Sequence, residues 1–269
     1  IAGAAKIGGI SYFHEFAYDL LAENERIIAS TFDAAIESFK NRKLKKIVVI
    51  SSSMVFESTC KYPTPETEVT DSPPPKSTYG FQKLACEYFA RGAWEQYKLP
   101  YTIVRPFNCV GVGESDALKS KKIKSGNIKL AMSHVVPDLV YKILKGQDPL
   151  HILGKGNQIR HFTYGGDIAK GIIMAMFSPK AHNEDFNIST AESTTVLNLA
   201  KVIWRKINPD KKFSFVSDKP FIYDVQKRIP NVSKAKKILG FEAKTSLEEM
   251  LDEVIGWIKT QIKIEKNTL

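Results

Sequence analysis

The chain has 269 residues, with 39 Lys and Arg against 29 Asp and Glu, a net charge of +10. At 43% hydrophobic and 25% charged residues it matches the globular average, which excludes disordered, collagen-like and low-complexity classes. Three scattered cysteines, Cys60, Cys86 and Cys109, give neither a disulfide framework nor a Cys-x-x-Cys metal site, so a reducing, cytoplasmic setting and no metal are expected.

The N-terminus, Ile1 to Lys6, has no basic region ahead of a long apolar stretch, and it lacks an initiator Met. No signal peptide is expected, and the chain is read as starting inside a longer product. No apolar run approaches the roughly 18–20 residues of a membrane span. Ile1–Ala5 reads as the end of a buried strand. Tyr18 to Lys40 carries Leu20, Leu21, Ile27, Ile28, Phe32, Ala35 and Ile36 at helical spacing. Lys45–Ser52 is a continuous β-branched run, as in a central parallel strand. Glu57–Ser77 contains Pro63, Pro65 and Pro73-Pro74-Pro75 and reads as an irregular loop. A second long helix is expected over Thr78–Tyr97 and a buried strand over Leu99–Arg105, which together complete a βαβ unit.

Beyond Pro106 the texture changes. Gly111–Lys129 is polar and lysine-rich, and Lys119–Lys124 is its densest basic stretch. That stretch has no aromatic residue for base stacking, so it reads as a solvated loop, and no nucleic-acid partner is expected. Helices are expected over Leu130–Lys145, Gly166–Phe177, Val196–Ile207 and Ser246–Lys259, the last opened by a Ser246–Glu249 capping box. Short strands are expected at Leu150–Leu153, Phe186–Ile188 and Phe213–Val216. The fold class is α/β: a Rossmann-like parallel sheet, incomplete in its first strands, with a smaller mixed α/β lobe at the C-terminus. Residues 1–110, with part of 155–190, are assigned to the first lobe and 111–269 mainly to the second.

The sharpest local signal is Tyr79-Gly-Phe-Gln-Lys83, on a helix that follows a strand ending in Ser51-Ser52-Ser53. Tyr and Lys four residues apart share one helix face. An ammonium beside a phenol favours the phenolate and moves its pKa from about 10 toward the range of a general base. Open parallel sheets bind ligands at the C-terminal ends of their strands, where this pair would sit.

These residues, with Ala4-Ala5, Asn24, Arg105-Pro106-Phe107-Asn108, Ile152-Leu153-Gly154, Arg160-His161-Phe162, Gly166-Asp167-Ile168, Phe186-Asn187-Ile188 and Arg228-Ile229-Pro230, occur in order along nearly the whole chain. In this the sequence resembles the extended short-chain dehydrogenase/reductase family, in its NAD-dependent nucleotide-sugar epimerase/dehydratase branch. The resemblance implies NAD as cofactor, a nucleotide sugar as substrate and a homodimer formed through the two long helices. It implies that Tyr79 is the acid/base and that Lys83 binds the nicotinamide ribose. Ser52 would hydrogen-bond the reacting oxygen, with Ser53 as the alternative. Gly3, Ala4, Asn24, Ser51 and Pro106 would line the dinucleotide, and Asn108, Arg160 and Arg228 the substrate diphosphate.

Two departures shape the expectation. The family's glycine-rich phosphate loop is absent: Gly8-Gly9, Gly111-Val-Gly113 and Gly154-Lys-Gly156 lack the third glycine. Poor NAD binding is therefore expected of the chain as it stands. The dehydratases carry an acidic pair where Ser53-Met54 stands here, which turns the expectation from 4,6-dehydration toward epimerisation like that of UDP-glucose 4-epimerases. The rivals are a related reductase, decarboxylase or 3,5-epimerase, or a non-catalytic basic binding protein on a degraded dehydrogenase fold.

Overall fold

The computed structural model describes residues 1–7, 16–113, 124–125, 128–129, 134–220 and 225–267. Its organising element is a parallel sheet of β1 (Ile47–Ile50), β2 (Tyr101–Pro106) and β9 (Glu184–Ile188), in the order β1-β2-β9. Ile47 pairs with Tyr101 and Thr102 with Glu184, so β2 and β9 end level at Pro106 and Ile188, and β1 ends at Ile50, opposite Val104. The expected N-terminal strand is reduced to one parallel bridge. Ala2 N–H donates to the Val48 carbonyl at 2.7 Å, and Ile50 N–H donates back to Ala2 at 3.1 Å.

The β-branched strands bury both faces, as a central parallel sheet must. On one face, Ile47, Val49 and Ile103 pack against α1 (Ala17–Lys40) and α3 (Thr78–Tyr97) through Ile28, Phe32, Ala90 and Ala93. On the other, Val48, Val104, Phe186 and Ile188 pack against α5 (Gly165–Phe177) and α7 (Ser233–Leu239) through Ile168, Ala175 and Ala235. A separate apolar cluster joins α4 (Val135–Leu144), α6 (Val196–Ile207) and α8 (Leu247–Asn267) over β6 (Leu150–Leu153). There β6 pairs in parallel with β11 (Phe215–Asp218). The Ser246–Glu249 capping box forms: Ser246 N–H donates to Glu249 Oε2 at 2.9 Å, and Glu249 N–H to Ser246 Oγ at 3.3 Å.

The proline-rich segment is more ordered than its composition suggests, because it contains the single turn α2 (Glu68–Asp71). It is also tied down from far along the chain: Thr64 N–H donates to Ile229, and Asn231 N–H to Thr64. The α4 helix begins at Val135, so the expected start at Leu130 falls outside the described residues. So do Gly8-Gly9 and most of the lysine-rich segment, which shows only the antiparallel pair β4 (Lys124–Ser125) and β5 (Ile128–Lys129). Among the described residues, no helix is long and apolar enough to cross a membrane.

Candidate active site

The site forms where the parallel strands end. After β1 the chain passes through Ser51 and Ser52 into a 3-10 turn, Ser53–Phe56. Ser52 caps that turn, its Oγ accepting the Met54 N–H at 3.2 Å. Serine suits the place, since a short side-chain oxygen satisfies an amide that the turn leaves without a carbonyl.

Helix α3 begins against this turn. Ser77 is its N-cap, accepting the Gly80 N–H at 3.0 Å. A Cβ added at Gly80 would stand 2.8 Å from the Met54 carbonyl and 2.6 Å from Pro75 Cβ, so only glycine permits the approach. Tyr79 is therefore half-buried at the mouth of the sheet. One turn on, Lys83 is buried and its Nζ donates to the Ile50 carbonyl at 2.9 Å, at the end of β1. The sequence-predicted Ser52, Tyr79 and Lys83 thus meet on two elements in direct contact.

A further turn along α3 lies Glu87, which the motif reading did not include. It is fully buried and accepts from Ser51 Oγ at 2.6 Å and from Arg105 Nε and Nη2 at 2.7 Å each. Arg105 also pairs with Asp185 at 2.7 Å, and Asp185 with Lys234 at 2.6 Å. Burial alone would lower the Arg105 pKa, but Glu87 and Asp185 raise it and keep the guanidinium charged. Burial would raise Asp185, yet Arg105 and Lys234 hold it below the usual carboxylate range. The spacing from Tyr79 and Lys83 to Glu87 was the available signal, since every fourth residue shares a helix face.

The remaining predicted residues divide in two. Ser51 lies at the strand end, but its hydroxyl binds Glu87. Asn24 is buried on α1 with both amide atoms on the main chain of Lys6: Oδ1 accepts the N–H at 2.6 Å and Nδ2 donates to the carbonyl at 2.9 Å. These two hold the walls. Gly3 lies next to the bridging Ala2, where a Cβ would meet only ordinary contacts, and Ala4 follows it, exposed. Pro106 ends β2, half-buried.

Asn108 has φ +40°, a left-handed conformation that asparagine tolerates better than most residues, and its buried Oδ1 has no hydrogen-bond partner among the described residues. The Asn108 carbonyl accepts the Thr163 N–H at 3.1 Å, which joins it to β8 (Thr163–Tyr164), just past β7 (Ile159–Arg160). Arg160 and Arg228 stand one residue beyond the bridged pair Ile159 and Lys227, on adjacent segments. Arg160 is buried and donates to the Ile159 carbonyl at 2.9 Å. Asn108 is thus joined to the segment just after Arg160, and Arg160 to the segment of Arg228. Beside them, His161 Nδ1 lies 3.0 Å from the Thr190 carbonyl, and burial holds its pKa below the ordinary value.

A doubly covered parallel sheet with tyrosine, lysine and serine at its strand ends defines a Rossmann-type α/β protein, a fold that binds ligands at that edge. The profile of the NAD dependent epimerase/dehydratase family matches residues 2–189, and the chain belongs to that family. A solved UDP-glucose 4-epimerase from Thermotoga maritima, with UDP-glucose, is 28% identical with a TM-score of 0.78, over 97% of this chain and 76% of that one. The UDP-glucuronate 4-epimerase of Thermodesulfobacterium geofontis is 28% identical over 86% of this chain and 65% of that protein. The GDP-L-fucose synthase of Dictyostelium discoideum is 23% identical over 94% of this chain and 76% of that protein.

NAD is the cofactor of the family. The residues present fit its nicotinamide–ribose end. The buried Lys83 ammonium has three N–H groups, and one of them goes to Ile50, which leaves donors for a ribose diol. The sequence offers no glycine-rich loop for the pyrophosphate.

Proposed function

We propose that the protein epimerises a nucleotide sugar with NAD, Tyr79 acting as the general acid/base. The observation that carries this reading is the placing of Tyr79 and Lys83 on successive turns of α3, with Lys83 bound to the strand end and Gly80 pressed against the turn capped by Ser52. Tyr79 takes the proton of a ring hydroxyl, and Ser52 donates a hydrogen bond to the same oxygen. Bound NAD supplies the hydride acceptor and donor. Lys83 orients the ribose. The 4-keto sugar turns over while Asn108, Arg160 and Arg228 keep hold of the diphosphate, the forked guanidinium groups suiting phosphate oxygens. The same Tyr79 then returns the proton.

Ser53 and Met54, both buried, supply no carboxylate for eliminating water, which favours epimerisation over 4,6-dehydration. Similarity to a GDP-L-fucose synthase over 94% of the chain supports a second reading, a reductase or 3,5-epimerase acting on a GDP-sugar. The full-length protein, incubated with NAD and a panel of UDP- and GDP-sugars, separates the two by product NMR. Tyr79→Phe is expected to lower turnover by about 10²–10⁴-fold with nucleotide-sugar binding nearly intact, and wild-type turnover in that variant would refute the assignment.

We further infer a cytoplasmic homodimer. Exposed Tyr18, Phe81 and Tyr88 on α1 and α3 support the pairing. The separate apolar clusters support a cofactor lobe over 1–110, with part of 155–190, and a mainly substrate-binding lobe over 111–269, with α7 of the latter packed on the sheet of the former.

A further inference from the structure

We propose that Glu57 is a positioning residue whose carboxylate locks the first turn of α3, and with it Tyr79, against the turn that carries Ser52. The inference rests on the reading of Tyr79 as the acid/base. Glu57 closes the 3-10 turn that Ser52 opens. Its Oε2 accepts two bonds from Ser77, the N–H at 3.0 Å and the hydroxyl at 2.7 Å. Ser77 in turn accepts the Gly80 N–H. The route from Ser52 to Tyr79 is thereby closed by side chains in a few residues, whereas the covalent route runs through the proline-rich loop 58–76.

The far end of this stretch of helix is fixed separately. Glu87 is buried on Ser51 and Arg105, and Lys83 has its own bond to Ile50. Loss of the Glu57 clamp therefore frees the first turn, which holds Tyr79, and leaves Lys83 anchored. Both donors to Glu57 are uncharged. A carboxamide oxygen in the same place accepts both, so the role demands an acceptor and not a charge.

The test compares Glu57→Ala with Glu57→Gln in the full-length protein, beside Tyr79→Phe. In Glu57→Ala, kcat is expected to fall about tenfold or more, because misplacement by about 1 Å costs up to 10²-fold, while KM for the nucleotide sugar stays within about threefold. Glu57→Gln is expected to restore kcat to within about threefold of wild type. Amide exchange over 77–80 speeds up in the Ala variant alone, and exchange over 83–87 is unchanged in both. Wild-type kcat in a folded Glu57→Ala protein overturns the proposal, as does a folded Glu57→Gln protein as impaired as the Ala variant. Persistent turnover in Tyr79→Phe instead removes the reading of the base, and the exchange data then still judge the clamp.

Discussion

At the scale of single residues, the site depends on how closely α3 approaches the serine turn, and two glycines of one helix measure that. Alanine is the better helix former by about 1 kcal/mol, so Gly→Ala stabilises wherever the added methyl meets nothing. Gly92 is exposed, and a Cβ built there meets nothing within 4 Å beyond its chain neighbours and the backbone of its own helix. Gly92→Ala is expected to raise stability by about 0.5–1 kcal/mol. At Gly80 the same methyl would run into the Met54 carbonyl and Pro75, neither of which is a flexible side-chain end. Overpacking of this kind costs about 1–3 kcal/mol, so Gly80→Ala is expected to destabilise despite its helix propensity. Urea midpoints for both variants check the pair, and equal gains at the two positions would show that the helix start is not pressed against the turn.

At the scale of elements, α3 is held by a chain of charges, the buried Glu87 and Arg105 and the half-buried Asp185 and Lys234, that ties it to β2, β9 and α7. Arg105 meets Glu87 through two guanidinium nitrogens, a geometry that lysine cannot reproduce. Arg105→Lys is expected to cost about 1.5–3 kcal/mol, the worth of charge-assisted bonds in a buried site. The surface pair Arg205–Glu248, 68% and 49% exposed, gives the contrast: Glu248→Gln is expected to cost under about 1 kcal/mol. Denaturant unfolding of the two variants checks both figures.

These elements also show what the sequence makes legible. β1, α1 and α3 carry their own periodicity and start signals, and the structure places them within two residues of expectation. Tyr79 and Lys83 could be read because a four-residue spacing is itself a geometric statement. The strands β3 (Cys109–Val110), β7, β8 and β10 (Thr194–Thr195) are too short to show a period. Helix α7 was missed because its seven residues are too few for the stripe of Ala235, Ile238 and Leu239 to repeat. Glu57 and Ser77, 20 residues apart, and Arg105 and Asp185, 80 apart, meet only through the fold. Ser51 and Asn24 carried a motif's identity, but which way their hydrogen bonds run is a tertiary fact.

At the scale of the whole molecule, stability should depend on pH through buried groups with opposing signs. Glu66 is buried, its Oε1 accepting the Asn187 N–H at 2.9 Å. Burial raises its pKa, and Asp185 adds to this, against the Asn187 hydrogen bond and the charge of Lys234. A carboxyl raised in the folded state holds its proton where the unfolded chain has lost it, so its contribution to stability falls as pH rises from about 4 toward the raised value. His161 acts in the other direction. Burial lowers its pKa, so the unfolded chain binds the extra proton first, and stability is lost as pH falls below about 6.5. Asp185, held low, matters only in acid below about pH 4. Comparing wild type with Glu66→Gln above about pH 4 isolates Glu66, because the amide oxygen can still accept from Asn187, His161 stays in place and Asp185 titrates only below that range. The stability of Glu66→Gln relative to wild type is expected to grow as pH rises above about 4.5 and to level off once Glu66 ionises in the folded protein, read from urea unfolding at several pH values across this range. A difference that stays flat across that range would mean that Glu66 is ionised in the folded protein at its ordinary pKa.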